Sequence, residues 1–141
     1  MGQENSDSPW RGYGDLAYID EAGYVHLVDR RTDLIVSGGV NVYPAEVEAA
    51  LEAHPHVQSA VVVGLPDDDL GQYVHAVVEL DDHWQHHEPD SSLRTHLRAL
   101  LSGPKIPRRF EYSSAPLRDD AGKVRRSAVR QARLTSHEEH R

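Results

Sequence analysis

Cysteine is absent from the 141 residues, which excludes disulfides, thiolate metal ligands and a cysteine nucleophile together. No window approaches the roughly 18 consecutive apolar residues of a membrane helix. The N-terminus, MGQENSDSPW, has neither the basic start nor the apolar run of a signal peptide, so a cytoplasmic location is expected. An excess of positive charge is also missing. The formal net charge is −8, which argues against a general nucleic-acid surface, because such surfaces neutralise phosphates with clustered Lys and Arg. Lysine is scarce: of 15 basic residues only Lys105 and Lys123 are lysines.

With 38% hydrophobic and 27% charged residues, the chain has the composition of one globular domain with a real core. Residues 1–9 are polar and aperiodic and read as a disordered leader. LAYID (16–20) and YVHLV (24–28) are short β-favouring runs joined by Glu21-Ala22-Gly23, a hairpin signature. After the charged run 29–33, Leu34-Ile35-Val36 reads as a strand ending at Gly38-Gly39, with a strand-to-helix turn beyond it. Pro44 suits a first helical position, and Val47, Ala50 and Leu51 share a face, so a helix is expected from there to His54-Pro55. Valine-rich segments 57–64 and 73–80 read as neighbouring strands. Ser91 or Ser92 can cap a second helix with Leu93, Leu97, Leu100 and Leu101 on one stripe, stopped by Gly103-Pro104. A short strand near Arg109–Tyr112 and a basic helix from about Arg125 to Leu134 complete an α+β domain. Its expected form is a small sheet covered by two or three helices and preceded by a β-hairpin.

Three segments carry more glycine, charge or lysine than packing requires. Asp15 after Gly14, with Arg30 beyond the hairpin, can bind a vicinal diol and phosphate or ribose oxygens; a turn aspartate and a solvated arginine are the simpler reading from chemistry alone. Ser37-Gly38-Gly39 permits positive φ and close approach of a narrow ligand. It lacks the Gly-Lys-Ser/Thr ending of a Walker loop and the dinucleotide fingerprint, and a plain turn is the simpler reading. Lys123, on the glycine-bearing loop Asp119-Asp120-Ala121-Gly122, is a mobile point charge able to reach a phosphate or carboxylate. An exposed lysine opening a basic helix is its bland counterpart. His83, His86 and His87 sit in a polar loop without metal-ligand spacing and read as solvated histidines, so no metal is expected.

In order and spacing, GYGDLAYIDEAGYVHLVDRRTDLIVSGGVNVYPAEVEAAL, VQSAVVVGLPDDDLGQYVHAVVEL, PKIPRRFEY and GKVRR resemble the C-terminal domain of the adenylate-forming superfamily, in its acyl-CoA synthetase/ligase branch. The resemblance runs from about Trp10 to Leu134. It implies a hairpin (10–31) from the end of a large adenylation domain, a C-terminal lid (33–134) and a frayed tail (135–141). By the same resemblance Asp15 and Arg30 bind the ribose and phosphates of ATP or AMP, and Thr32 stands at the hinge, where the family usually has a charged residue. Ser37, Gly38 and Gly39 line the pantetheine tunnel of CoA, and Lys123 is the catalytic lysine of adenylation. A second departure is Leu117, where the family usually has proline.

The resemblance further implies ATP with magnesium and CoA as the groups used by the complete enzyme, with none held tightly by this chain alone. The partners implied are a large N-terminal adenylation domain, in cis or trans, and pantetheine of CoA or of a carrier protein. Lys123 also becomes a candidate substrate for a lysine acetyltransferase, since acylation would remove its charge. No phosphate-binding loop is visible in the sequence, so the chain alone is expected not to turn over ATP. The alternative is a free-standing, non-catalytic module that docks on an adenylating enzyme or carrier protein. Fatty acid metabolism is the expected setting, and the acid is not readable from these residues.

Overall fold

Two valine-rich strands set the frame. In a computed structural model, which describes residues 15–19, 22, 25–30, 33–84, 88–123 and 126–139, β5 (Val57–Asp67) and β6 (Gly71–Leu80) pair antiparallel through a tight connection at Asp68-Asp69-Leu70. Asp67 Oδ2 accepts the backbone N–H groups of Asp69 (3.0 Å) and Leu70 (2.8 Å), and Gly71 takes φ +83°. This local closure lets β5 run through Pro66, three residues past the expected end at Gly64. β7 (Arg109–Ser113) joins β6 in parallel, giving the order β5-β6-β7 with β6 central. A parallel neighbour needs a crossover, and α2 (Pro89–Arg98) supplies it.

Alternate residues of β5 and β6 serve two cores. Ala60, Val62, Val74, Ala76, Val78 and Leu80 face α1 (Pro44–Glu52) and α2, where Val47, Leu51, Leu93 and Leu97 are fully buried. Val61, Val63 and Leu65 face α3 (Arg126–Glu139) together with Tyr73, Leu117, Val129 and Leu134. Each buried Leu contributes roughly 1.5–3 kcal/mol. The first core is the larger, and it holds α1 and α2 by apolar contact.

Both of these helices start on proline. Pro44 opens α1 after Tyr43, and Pro89 opens α2 after Glu88; a missing N–H costs nothing at the first helical position. The second start corrects the expected serine cap. Ser91 and Ser92 lie inside α2, and the Ser92 hydroxyl bonds His54 Nε2 at 3.2 Å. Leu100 is a further correction, being 53% exposed, because the helix stops at Arg98 and a 3-10 turn at Gly103–Lys105 follows. α3 runs five residues beyond Leu134, to Glu139. Among the described residues no helix is long and apolar enough to cross a membrane.

Two small hairpins precede the sheet in sequence. β1 (Asp15–Ile19) pairs antiparallel with β2 (Val25–Arg30). β3 (Ile35–Ser37) pairs antiparallel with β4 (Val40–Val42), so the expected strand-to-helix turn is a hairpin turn, with a second strand before α1. The leader 1–9, the hinge position Thr32, His86 and His87 lie outside the described residues.

Candidate functional site

The β3–β4 turn consists of Gly38 (φ +57°) and Gly39 (φ +82°). Two consecutive positive φ values are the signature of a type I′ hairpin turn, which glycine enters without the penalty a Cβ would bring. Gly38 N–H donates to Leu70 O (2.9 Å), and Val36 N–H donates to Gln72 Oε1 (2.9 Å). The turn is thereby tied to the β5–β6 connection. A Cβ on Gly38 would stand 3.1 Å from Leu70 Cδ2, whereas one on Gly39 would meet nothing within 4 Å. Ser37 is half-buried beside this exposed pair. The open side of Gly39 is space that a narrow thiol arm could use.

Lys123 sits on a different loop with its own closure. Asp119 N–H donates to Lys123 O (2.9 Å) and Gly122 N–H to Asp119 O (2.8 Å). Asp119 Oδ1 accepts both Ala121 N–H and Lys123 N–H at 2.9 Å, and Gly122 takes φ +78°. The backbone is thus pinned while the residue remains exposed. Among the described residues no carboxylate pairs with the Lys123 ammonium, whereas Lys105 is bound to Glu46 at 3.0 and 3.3 Å. Among the described residues one lysine of the two has a carboxylate partner and the other has none.

The two loops attach at opposite ends of the ladder. Gln72 holds the glycine turn; Glu79 Oε1 accepts Leu117 N–H (3.2 Å) at the start of the lysine loop. These residues are near the two ends of β6, about 23 Å apart at a strand rise of about 3.3 Å per residue. Leu117 therefore has a physical role at the position of departure: its N–H makes a bond that proline could not, and its side chain packs against the α3-side core.

The β1–β2 register sets Asp15 and Arg30 directly opposite each other on the backbone. A cavity of about 570 Å³ between the sheet and α3, lined by Tyr73, His75, Glu111 and Arg133, contains neither loop. Its charges are internally paired: Glu111 takes His75 Nε2 at 3.0 Å and Arg133 Nε at 3.1 Å. The guanidinium, more than the imidazole, holds the Glu111 carboxyl below its ordinary range. Among the described residues no group of His, Asp or Glu is arranged for a metal ion.

Several residues around Lys123 carry no signal a single sequence reveals. Arg118 reaches Glu52 (3.2 Å) and Gly122 O (3.1 Å), and Arg126 reaches Glu48 (2.7 Å) and Asp33 (2.9 Å). As sequence they read as a solvated charge run, because their partners lie far away in the chain. The one available hint is the spacing of Glu48 and Glu52, which puts both on one face of α1.

The fold has known relatives. Residues 46–118 match the model of the AMP-binding enzyme C-terminal domain. A fatty acid–[acyl-carrier-protein] ligase of Streptomyces coeruleorubidus is 45% identical over 121 residues, 86% of this chain and 23% of the relative. A 2-succinylbenzoate–CoA ligase of Geobacillus kaustophilus is 41% identical over 122 residues, again 86% of this chain and 24% of the relative. The solved fatty acyl CoA synthetase of Mycobacterium tuberculosis superposes with a TM-score of 0.77 at 32% identity, covering 87% of this chain and 24% of that one. The chain spans about a quarter of the length of the relatives it matches. The glycine turn and residues 119–123 of the lysine loop fall outside residues 46–118. With its sheet, helices and more than half its length accounted for in this way, the chain belongs to the family of AMP-binding enzyme C-terminal domains.

Proposed function

We propose that this chain is the lid portion of an ATP-dependent acyl-CoA ligase and that its two loops serve two successive half-reactions. The observation that carries the proposal is the contrast between them: a lysine with no carboxylate partner among the described residues, on a pinned loop at one end of the ladder, and a side-chain-free turn at the other. In the first half-reaction a substrate carboxylate oxygen bonds to the α-phosphorus of ATP and pyrophosphate leaves. Two anions approach each other there. The Lys123 ammonium keeps its proton and offsets both the repulsion and the developing charge, a contribution of about 2–4 kcal/mol by analogy with loss of a single donor.

In the second half-reaction the thiol of CoA attacks the acyl carbonyl and AMP leaves. Gly38 and Gly39 leave room for the pantetheine arm beside the backbone, and the Leu70 and Gln72 contacts keep the turn from collapsing into that room. Lys123 has no part in this step, and the distance between the loops means the lid must rotate to exchange one for the other. Asp15 and Arg30 hold the ribose and phosphate oxygens. Thr32 stands at the pivot, where it lacks the charge usual in the family.

The test is reconstitution. The chain alone, with ATP, magnesium and a panel of carboxylic acids, is expected to release no more pyrophosphate than a Lys123→Ala control. Added to, or fused with, the large domain of a relative such as the M. tuberculosis synthetase, it is expected to restore pyrophosphate release that depends on Lys123. Tight binding to the large domain with no Lys123 dependence would instead identify a non-catalytic docking module.

A further inference from the structure

The arginines that bracket Lys123 both return to one helix. Glu48 and Glu52 are one turn apart on α1 and therefore share a face. That face lies along β5, an edge strand of the sheet. Glu48 Oε2 accepts Val62 N–H at 2.9 Å and Glu52 Oε2 accepts Ala60 N–H at 3.2 Å. Each glutamate is thus fixed by a backbone donor before any side chain reaches it.

Each then takes one arginine from the lysine segment. Arg126, three residues after Lys123, binds Glu48 through two nitrogens, Nε at 3.0 Å and a terminal nitrogen at 2.7 Å, and sends its other terminal nitrogen to Asp33 Oδ2 at 2.9 Å. Arg118, five residues before Lys123, binds Glu52 Oε2 at 3.2 Å and Gly122 O at 3.1 Å. The two sites differ in weight. Arg126, Glu48 and Asp33 are largely shielded from water, at 21%, 15% and 21% side-chain exposure, while Arg118 is 48% exposed. Screening therefore weakens the second far more than the first.

We propose that Glu48, Glu52, Arg118 and Arg126 form a two-point clamp that sets where Lys123 is held, with Arg126 as its dominant member. They are positioning residues, since none of them needs to touch the substrate. The clamp rests on the reading of Lys123 as the adenylation lysine. It leaves the ammonium as the mobile end of an otherwise anchored loop, and through Asp33 it references that loop to the residue next to the pivot at Thr32. Arginine is the side chain this arrangement requires, because one planar guanidinium makes three directed bonds that an ammonium cannot reproduce.

The test uses the enzyme assembled from this chain and a relative's large domain. Arg126→Gln is expected to lower the adenylation kcat by about tenfold to a hundredfold, the scale of an ångström-level misplacement of a reacting group. Thioester formation from supplied acyl-adenylate should stay within about twofold, since that step does not use the lysine loop. Arg126→Lys should fail to rescue, and Arg118→Gln should give a smaller loss. In the chain alone, amide exchange at residues 119–123 should accelerate in Arg126→Gln while exchange in β5 and β6 stays slow. Equal loss of both half-reactions would overturn the clamp, as would undisturbed adenylation in Arg126→Gln where Lys123→Ala abolishes it. If Lys123→Ala itself leaves adenylation intact, the lysine reading falls and the role of the clamp falls with it, whatever the exchange data show.

Discussion

Substitutions at Gly39 separate strain from obstruction. Its φ of +82° costs an L-residue about 1–2 kcal/mol, and a Cβ there meets nothing within 4 Å, so Gly39→Ala destabilises through backbone conformation alone. Asparagine tolerates the left-handed region and is at home in type I′ turns. Gly39→Asn should therefore cost less than Gly39→Ala. In melting temperature the alanine variant should lose on the order of 4 °C and the asparagine variant much less. Side-chain size has the opposite order: the larger amide fills more of the space assigned to the thiol arm. In the assembled enzyme, thioester formation from supplied acyl-adenylate should therefore fall further for Gly39→Asn than for Gly39→Ala, on the order of tenfold or more, with adenylation unchanged in both. The assay is rapid-quench thioester formation beside a thermal melt of each variant. Thioester rates that simply follow melting temperature would refute the assignment of this turn. Gly38→Ala is a useful contrast, since it combines positive φ with a 3.1 Å approach to Leu70 Cδ2 and so mixes strain with crowding.

Burial, followed by the neighbouring His96 and His56, holds the His54 imidazole below its ordinary pKa of 6.5, against a smaller opposing pull from Asp81. The unfolded chain then binds the proton more readily, so stability is full above pH 6.5 and declines as pH falls through the lowered native value; urea midpoints at pH 7.5 and 5.5 should converge in His54→Gln relative to wild type. Leu97→Ala, at a fully buried site between α2 and the sheet, should cost about 2–5 kcal/mol in chemical denaturation, and a cost under 1 kcal/mol would contradict the packing described. Lys105→Ala breaks a partly exposed pair with Glu46; it should change stability by no more than about 1 kcal/mol and leave adenylation untouched, a result that keeps the two lysines distinct.

Strong local signals in the sequence survive in the structure. Valine runs became β5 and β6, and Pro44 opens α1. The second strand of the glycine hairpin was hidden because β4 is only three residues long and leads directly into Tyr43-Pro44. Serine chemistry pointed to a cap on α2, but Pro89 starts the helix two residues earlier and Ser92 is drawn to His54 instead. Among the proposed site residues, Lys123 was conspicuous in the sequence because lysine is rare here and glycine precedes it. The clamp was not, because Arg118 and Arg126 find Glu52 and Glu48 only after the sheet brings distant segments together. Ion pairs leave no periodicity for a single sequence to display.

The proposed function has one domain present two loops to two half-reactions. Its most direct test measures adenylation by pyrophosphate release, and thioester formation from supplied acyl-adenylate, in the assembled enzyme carrying either Lys123→Ala or Gly39→Asn. A crossed result is expected: Lys123→Ala loses about 10²–10³ in adenylation and keeps thioester formation, while Gly39→Asn keeps adenylation and loses about tenfold or more in thioester formation. Parallel losses in both variants, or full adenylation without Lys123, would contradict it.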